Sequence, residues 1–205
     1  MILNTFEYLM MNNPVRAMLQ RRYEARKLLR MGGPMRGGRA LEVGCGRGVG
    51  VEVILDCFGA DAVDAFDLDP RMVAKAGRRL KRRGDRARLW VGDAARIDAA
   101  DATYDAVFDF GIIHHVPEWR AALAEIFRVL KPGGRFYAEE VLRAYILHPI
   151  WRRLLDHPLE DRFDHAQFQA GLTQAGFVVT AARPFAKSFA WYIADKAAAP
   201  DAERA

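Results

Sequence analysis

Cysteine is scarce in this chain: only Cys45 and Cys57 occur among 205 residues. Two thiols build no disulfide framework, so the sequence fits a reducing compartment better than a secreted one. Long apolar runs are missing too. No stretch of 18 uninterrupted apolar residues is present, which argues against a membrane-spanning helix. The opening MILNTFEYLMMNNPVRAM has neither a basic leader nor a small-residue cleavage pattern, so no secretory signal is expected. Internal repeats and long low-complexity segments are absent. No residues stand at a clear metal-ligand spacing, so no metal is expected.

Acidic residues are scarce in one region. Residues 1–39 hold eight Lys/Arg against Glu7 and Glu24, a net +6 in a chain whose formal charge is +5. The remainder therefore sums to −1, and the basicity belongs to the N-terminal segment. One basic appendage differs from a surface that coats nucleic acid. A second basic run, nine Lys/Arg from Arg71 to Arg88, lacks the interleaved aromatics that stack bases and reads as the solvated face of a helix. No nucleic-acid partner is expected.

What is present is enough apolar material, 51% of residues, for one domain with a core. Residues 5–31 read as helix, interrupted near Pro14, with Val15, Met18, Leu19 and Tyr23 on a helical period. MGGPMRGG, 31–38, is a breaker-rich linker. Strands and helices then alternate. RALEV, DAVDAFD, ARLWVG, YDAVFDF and RFYAEEV read as strands. GVGVEVILDCF, PRMVAKAGRRLKRR, EWRAALAEIFRVL and HAQFQAGLTQAG read as helices, the second opened by Pro70 and capped by Asp69. KPGG is a turn. FVVTAA and SFAWYIADK close the chain as a hairpin, joined by a loop with Pro184. The tail AAAPDAERA reads as frayed. This pattern predicts an α/β fold: a doubly wound, mostly parallel sheet with helices on both faces and an antiparallel strand at the end. Ligands in such sheets bind at the carboxyl ends of the strands.

ALEVGCGRGVG, residues 40–50, is the loop to explain. A P-loop needs a Lys-Ser or Lys-Thr pair after its last glycine, and none follows. A dinucleotide loop needs G-x-G-x-x-G; counting from Gly44 or Gly46, the sixth position is valine. What stands is E-x-G-x-G-x-G. An acid before the glycines favours a ligand that is cationic at that end, and S-adenosylmethionine (SAM) is a nucleoside with an ammonium and no phosphate. Glycines admit the backbone closely, and a helix N-terminus favours the ligand's carboxylate. Asp67 ends the second strand, where an acid can accept both ribose hydroxyls. Leu68 follows it. Asp93 follows the third strand and can accept from an adenine amino group, while the Ala94 amide can donate to a ring nitrogen. Asp109, Phe110 and Gly111 end the fourth strand at the same crevice. Bland readings compete: the glycines as a plain tight turn, Asp67 as a second cap, Asp93 as a turn residue.

Through LEVGCGRG, DAFDLDP, VGDA, YDAVFDFGIIHHV and RVLKPGGRFYAEE the chain resembles the class I SAM-dependent methyltransferase family over roughly residues 38–195. The best local match is the branch with quinone-ring and phospholipid-headgroup enzymes. The resemblance implies a seven-stranded sheet with the last strand antiparallel. It also implies SAM as cofactor, leaving as S-adenosylhomocysteine. It assigns Glu42, Gly44 and Gly46 to the methionine end, Asp67 to the ribose, and Asp93 with Ala94 to the adenine; Leu68 and Phe110 complete the expected cofactor contacts.

Methyl transfer demands an oriented acceptor that loses a proton, and histidine titrates in the useful range. His114 and His115, just past the fourth strand, are candidates. DFGI stands where amino-methylating enzymes of nucleic acids carry Asn/Asp-Pro-Pro-aromatic, which argues against such a substrate. Residues 143–162 read as an acceptor-pocket insertion with Tyr145, His148, Trp151 and His157 as candidates. The expected organisation is 1–37 as a basic amphipathic lid or membrane-contacting segment, 38–195 as the SAM-binding domain, and 196–205 as tail. As a lid, the first helix would pack Val15, Met18 and Leu19 over the cofactor. As an interfacial helix, it would lay them into an anionic bilayer. The acceptor reads as small or amphiphilic, most specifically a phospholipid amine or a lipid-linked ring. A soluble metabolite and a non-catalytic SAM-binding role are the alternatives. The expected location is cytoplasmic, with or without peripheral attachment to a membrane's inner face.

Overall fold

The computed structural model describes residues 13–147 and 161–198. The first twelve residues, the tail from 199 and the candidates His148, Trp151 and His157 lie outside the described residues. Three consecutive helical segments, Pro14–Leu19, Gln20–Glu24 and Ala25–Gly32, form α1. The middle one is a wide π turn. The break expected near Pro14 is present: Asn13 is extended and Pro14 opens the described helix, with the Asn13 side chain accepting from the Arg16 amide at 2.8 Å. Proline suits that place because the first-turn amides have no helical partner.

Seven strands follow: β1 Arg39–Val43, β2 Ala62–Asp67, β3 Ala87–Val91, β4 Tyr104–Phe110, β5 Leu130–Val141, β6 Val178–Phe185 and β7 Phe189–Asp195. They order as β3-β2-β1-β4-β5-β7-β6. The pairs from β3 through β5 are parallel, and β7 runs antiparallel to both neighbours. Strand order reverses at β1, so the crevice opens between the carboxyl ends of β1 and β4.

The helices between strands are α2 (Val49–Val53, continued by Ile54–Phe58), α3 (Pro70–Leu80), α4 (Trp119–Val129), the short α5 (Arg143–Ile146) and α6 (His165–Gln174). Alternating side chains divide the core in two. On one face Leu41, Val107 and Phe136 meet Trp119, Leu123 and Phe168. On the other Val63, Phe108 and Tyr137 meet Leu28, Ile54 and Phe58. Both faces being covered explains why central strands such as YDAVFDF carry apolar residues in both phases.

Two local expectations are corrected. KPGG is not a free turn between helix and strand; Leu130 already pairs with Tyr104, and the next pair, Arg135 with Ala106, leaves these residues as a bulge inside β5. Pro184 is not in the hairpin loop but in β6, opposite Ala190. An edge strand tolerates it because its outer side needs no amide. The turn falls at residues 186–188, with Ala186 and Lys187 at positive φ (48° and 55°) and the Ser188 amide donating to the Phe185 carbonyl at 3.0 Å. At the start of α6, Asp164 forms a reciprocal capping box with Gln167.

Candidate cofactor and acceptor site

The site is built where β1 gives way to α2. Gly46 adopts positive φ (51°), and a Cβ there would meet no protein atom within 4 Å. Gly50 is different: a Cβ would lie 1.8 Å from Glu42 Oε1. Its absence lets the Glu42 carboxyl turn beneath the first turn of α2. Asp67, at the end of β2, ties the loop from outside. Its Oδ2 accepts the Gly46 amide at 2.8 Å and its Oδ1 the Asp69 amide at 2.9 Å. Asp69 in turn caps α3 through the Arg71 amide at 2.8 Å and pairs with the Arg71 guanidinium at 2.7 Å.

A cavity of about 320 Å³ opens at this edge of the sheet. It has the size of a small-molecule site. Glu42, Gly44, Gly46, Asp67, Leu68, Asp93, Ala94 and Phe110 all line it, and so does His115. Among the described residues Glu42 Oε2 is buried without a protein partner. An unpartnered buried carboxylate oxygen, an open space beside Gly46 and further acids at Asp67 and Asp93 fit a ligand with a cationic end and hydroxyls to donate.

Other candidates are placed elsewhere. His114 does not line the cavity. Its ring is buried, with Nδ1 2.7 Å from Glu140 Oε2. His115 packs on it, ring centroids 4.2 Å apart. Glu140 also accepts the Ile113 amide at 2.8 Å and the His114 amide at 3.3 Å, so one buried carboxyl holds the whole turn after β4. Arg162 donates to the His114 carbonyl oxygen. Tyr145 sits on α5 against Phe189 at 5.2 Å, away from the cavity lining.

α1 covers the cavity, but not with the expected face. Val15, Met18 and Leu19 are exposed, and Arg16, Ala17 and Gln20 line the cavity instead. The rotation is set further along the helix. Ala25 and Leu28 enter the core, and Glu24 is buried with Arg16 paired to it at 2.5 Å. The wide turn over Gln20–Glu24 carries that inward phase back to Gln20 and Arg16. The pattern of arginines between apolar residues does not show which stripe faces inward; only the burial of Glu24 decides it.

Burial shifts the acids of this region together. Desolvation pushes Glu42 well above the usual carboxylate range, and the Asp67 charge adds to it. Burial and then Glu140 raise Asp109; burial and then Glu24 raise Glu139. Glu140 itself is pushed up to about 7, chiefly by burial and against the amides that favour its ionised form. The folded state thus holds protons that the unfolded chain releases above pH 4.5. That stability is present in full below the unfolded pKa and is lost as pH rises toward 7. Asp69 and Glu125, held low by Arg71 and Arg128, act oppositely but below this window. The cofactor-free protein should therefore melt at a higher temperature near about pH 5.5 than near about pH 8. Glu140→Gln should flatten that slope. Calorimetry across the range at constant ionic strength checks both; a slope unchanged in the variant contradicts the assignment.

Residues 40–134 match the methyltransferase domain family. Over that stretch the chain carries a methyltransferase domain, on the fold of the class I SAM-dependent enzymes. SAM is the cofactor that this domain and fold imply. The chain is 34% identical over 125 residues to a fatty-acid O-methyltransferase of Mycolicibacterium smegmatis, covering 60% of this chain and 44% of that one. It is 32% identical over 111 residues to phosphoethanolamine N-methyltransferase 2 of Caenorhabditis elegans, covering 53% and 25%. It thus spans less than half the length of these relatives. The crystal structure of a SAM-dependent methyltransferase from Aquifex aeolicus superposes with a TM-score of 0.73 at 22% identity, over 93% of this chain and 97% of that one. Among the described residues no helix is long and apolar enough to cross a membrane, and no group of three or more His, Cys, Asp or Glu could hold a metal ion.

Proposed function

We propose that this methyltransferase transfers a methyl group to a small or amphiphilic acceptor, most specifically a phospholipid headgroup amine or a lipid-linked ring. The observation that carries this reading is the cavity's two-sided character. Acids line its inner edge, while Arg16 and Gln20 of α1, together with His115, border it. The outer face of that same helix exposes Val15, Met18 and Leu19 beside arginines. One relative is named for a fatty acid and another for phosphoethanolamine, which supports an acceptor of amphiphilic or headgroup type.

Bound SAM supplies the electrophilic methyl group. Glu42 favours its ammonium end, Asp67 its ribose, and Asp93 with Ala94 its adenine. The protein's share is to orient the acceptor, exclude water and hold a base near it. His115 is the titratable ring placed to take the acceptor's proton. Asp67→Ala should weaken SAM binding by about 1–3 kcal/mol, from lost charge-assisted hydrogen bonds. Calorimetric titration of the folded variant checks this, and unchanged affinity removes Asp67 from the ribose.

Turnover tests the acceptor. Methyl-labelled SAM incubated with total lipids, quinone precursors and water-soluble metabolites should yield S-adenosylhomocysteine and label in a lipid. Label confined to water-soluble products favours the metabolite reading. SAM binding without turnover in any pool favours a non-catalytic SAM-binding protein. Peripheral contact with an anionic membrane through residues 1–31 belongs to the same reading. Met18→Ser with Leu19→Ser should reduce sedimentation with phosphatidylglycerol vesicles at low salt without altering the melting temperature, since both side chains are exposed. Equal sedimentation of variant and parent counts against it.

A further inference from the structure

Asp109 and Glu140 are fully buried, and neither lines the cofactor cavity. They stand at the carboxyl ends of neighbouring strands. Ala138 of β5 lies opposite Asp109 of β4, and Glu140 comes two residues later on the same face. The two side chains are hydrogen-bonded to each other. A carboxylate has no proton to donate, so this bond requires one of the two to be a carboxylic acid.

The surroundings decide which one. Glu140 accepts on both oxygens: Oε1 takes the Ile113 amide at 2.8 Å, and Oε2 takes the His114 amide at 3.3 Å, with His114 Nδ1 2.7 Å from it. Donors on both oxygens favour the anion. Arg162, which donates to the His114 carbonyl, adds a positive charge that Glu140 feels. Asp109 accepts the Ile112 amide at 2.8 Å on Oδ1. Its Oδ2 is buried and meets no donor among the described residues, as suits an oxygen that carries a proton itself. Burial raises both acids; the Glu140 charge raises Asp109 further, while the Asp109 proton and the amides work downward on Glu140. Tyr192 of β7 also faces the pair, its phenol raised by burial and then by the Glu140 charge. Glu42 and Glu139, on the other face of the sheet, are raised first by burial, and an ionised Asp109 adds to the repulsion on each. A neutral Asp109 suits both.

We propose that Asp109 is a neutral carboxylic acid near neutral pH, that it donates its proton to ionised Glu140, and that Glu140 so held is the positioning residue of the histidine turn. Nδ1 of His114 then carries a proton and donates it to Glu140. That fixes the ring of His114, and with it the surface on which the ring of His115 packs at 4.2 Å. The place of the proton stands on the buried pair itself. Its use in methyl transfer rests on His115 as the base, the reading given above.

The test follows the His114 ring nitrogens by NMR as pH is varied. Glu140→Gln keeps the volume and removes the charge, so the His114 midpoint should fall by about one pH unit. Asp109→Asn replaces one neutral donor by another and should leave the midpoint where it is in the parent. A fall in Asp109→Asn but not in Glu140→Gln puts the charge on Asp109 and overturns the assignment. A fall in both shows two charges and no shared proton, and a fall in neither shows that the pair does not act on the histidine; either overturns it. The parent chain gives a measurement that needs no variant. With isotope-labelled aspartate, the Asp109 carboxyl carbon, assigned through its own Cα, should keep its protonated chemical shift while Glu140 ionises. Ionisation of Asp109 before Glu140 overturns the proposal. Rates separate the pair from its use. In single turnover Glu140→Gln should lower the rate and leave SAM affinity unchanged. If the midpoints behave as expected and the rate does not change, His115 as the base fails and the buried pair stands.

Discussion

His115→Ala should lower kcat about 10²- to 10⁴-fold, the range for loss of a positioned general base, and leave SAM affinity within about twofold. The expectation follows from how the turn after β4 is held. Phe110 ends the strand, and the chain then winds one tight turn through Ile113–His115. His114 goes inward, where it is 3% exposed and bonded to Glu140. His115 goes outward to the cavity with its ring against His114. In the proposed reaction the two adjacent histidines divide the work: His115 takes the acceptor's proton, and His114 positions it. His114→Ala should therefore act mainly through the pH profile and geometry of His115, with a smaller loss than His115→Ala. Single-turnover rates across pH separate the two. Full activity in His115→Ala assigns proton removal elsewhere.

Trp119→Ala should cost about 3–5 kcal/mol of folding stability, the range for deleting a buried large aromatic. Trp119 starts α4 and is 1% exposed. Its ring meets Phe163 at 5.0 Å and Phe168 at 6.1 Å, and its Nε1 donates to the Asp161 carbonyl at 3.0 Å. α6 approaches so closely that a Cβ on Gly171 would lie 2.4 Å from the indole. No neighbour can collapse into the space left, because each is fixed by a helix or by the Asp161 segment. For a domain whose whole stability is about 5–15 kcal/mol, the loss should lower the melting temperature by roughly 10 °C. Trp119→Phe should recover much of it. A melting temperature within about 2 °C of the parent for Trp119→Ala would show that this side of the core is looser than its packing implies.

Most of the cavity's acidic lining is legible in the amino-acid sequence, for a physical reason. Each acid sits at the end of a strand, and a parallel sheet with right-handed crossovers brings all strand ends to one edge. Glu42, Asp67 and Asp93 therefore converge whatever the details of the helices between them. The same holds for the glycines, whose spacing follows from a tight strand-to-helix loop. Those residues need only local periodicity and short connections to be placed.

The acceptor side is not legible in this way. The apolar residues of the first helix suggest an inward face, and the structure turns that face to solvent. The phase is set at Glu24 and Leu28, which meet the distant strands β5 and β7, and by a wide turn that no period of 3.6 anticipates. The histidine pair is similar: sequence brings His114 and His115 together, but Glu140, 26 residues away, decides which ring is buried. By itself the sequence determined the sheet, the glycine loop and the acids that line the cavity, because these depend on local pattern and strand direction. Only the tertiary structure decided which sides of the first helix and of the histidine turn face the site, because those orientations are set by packing between residues far apart in the chain.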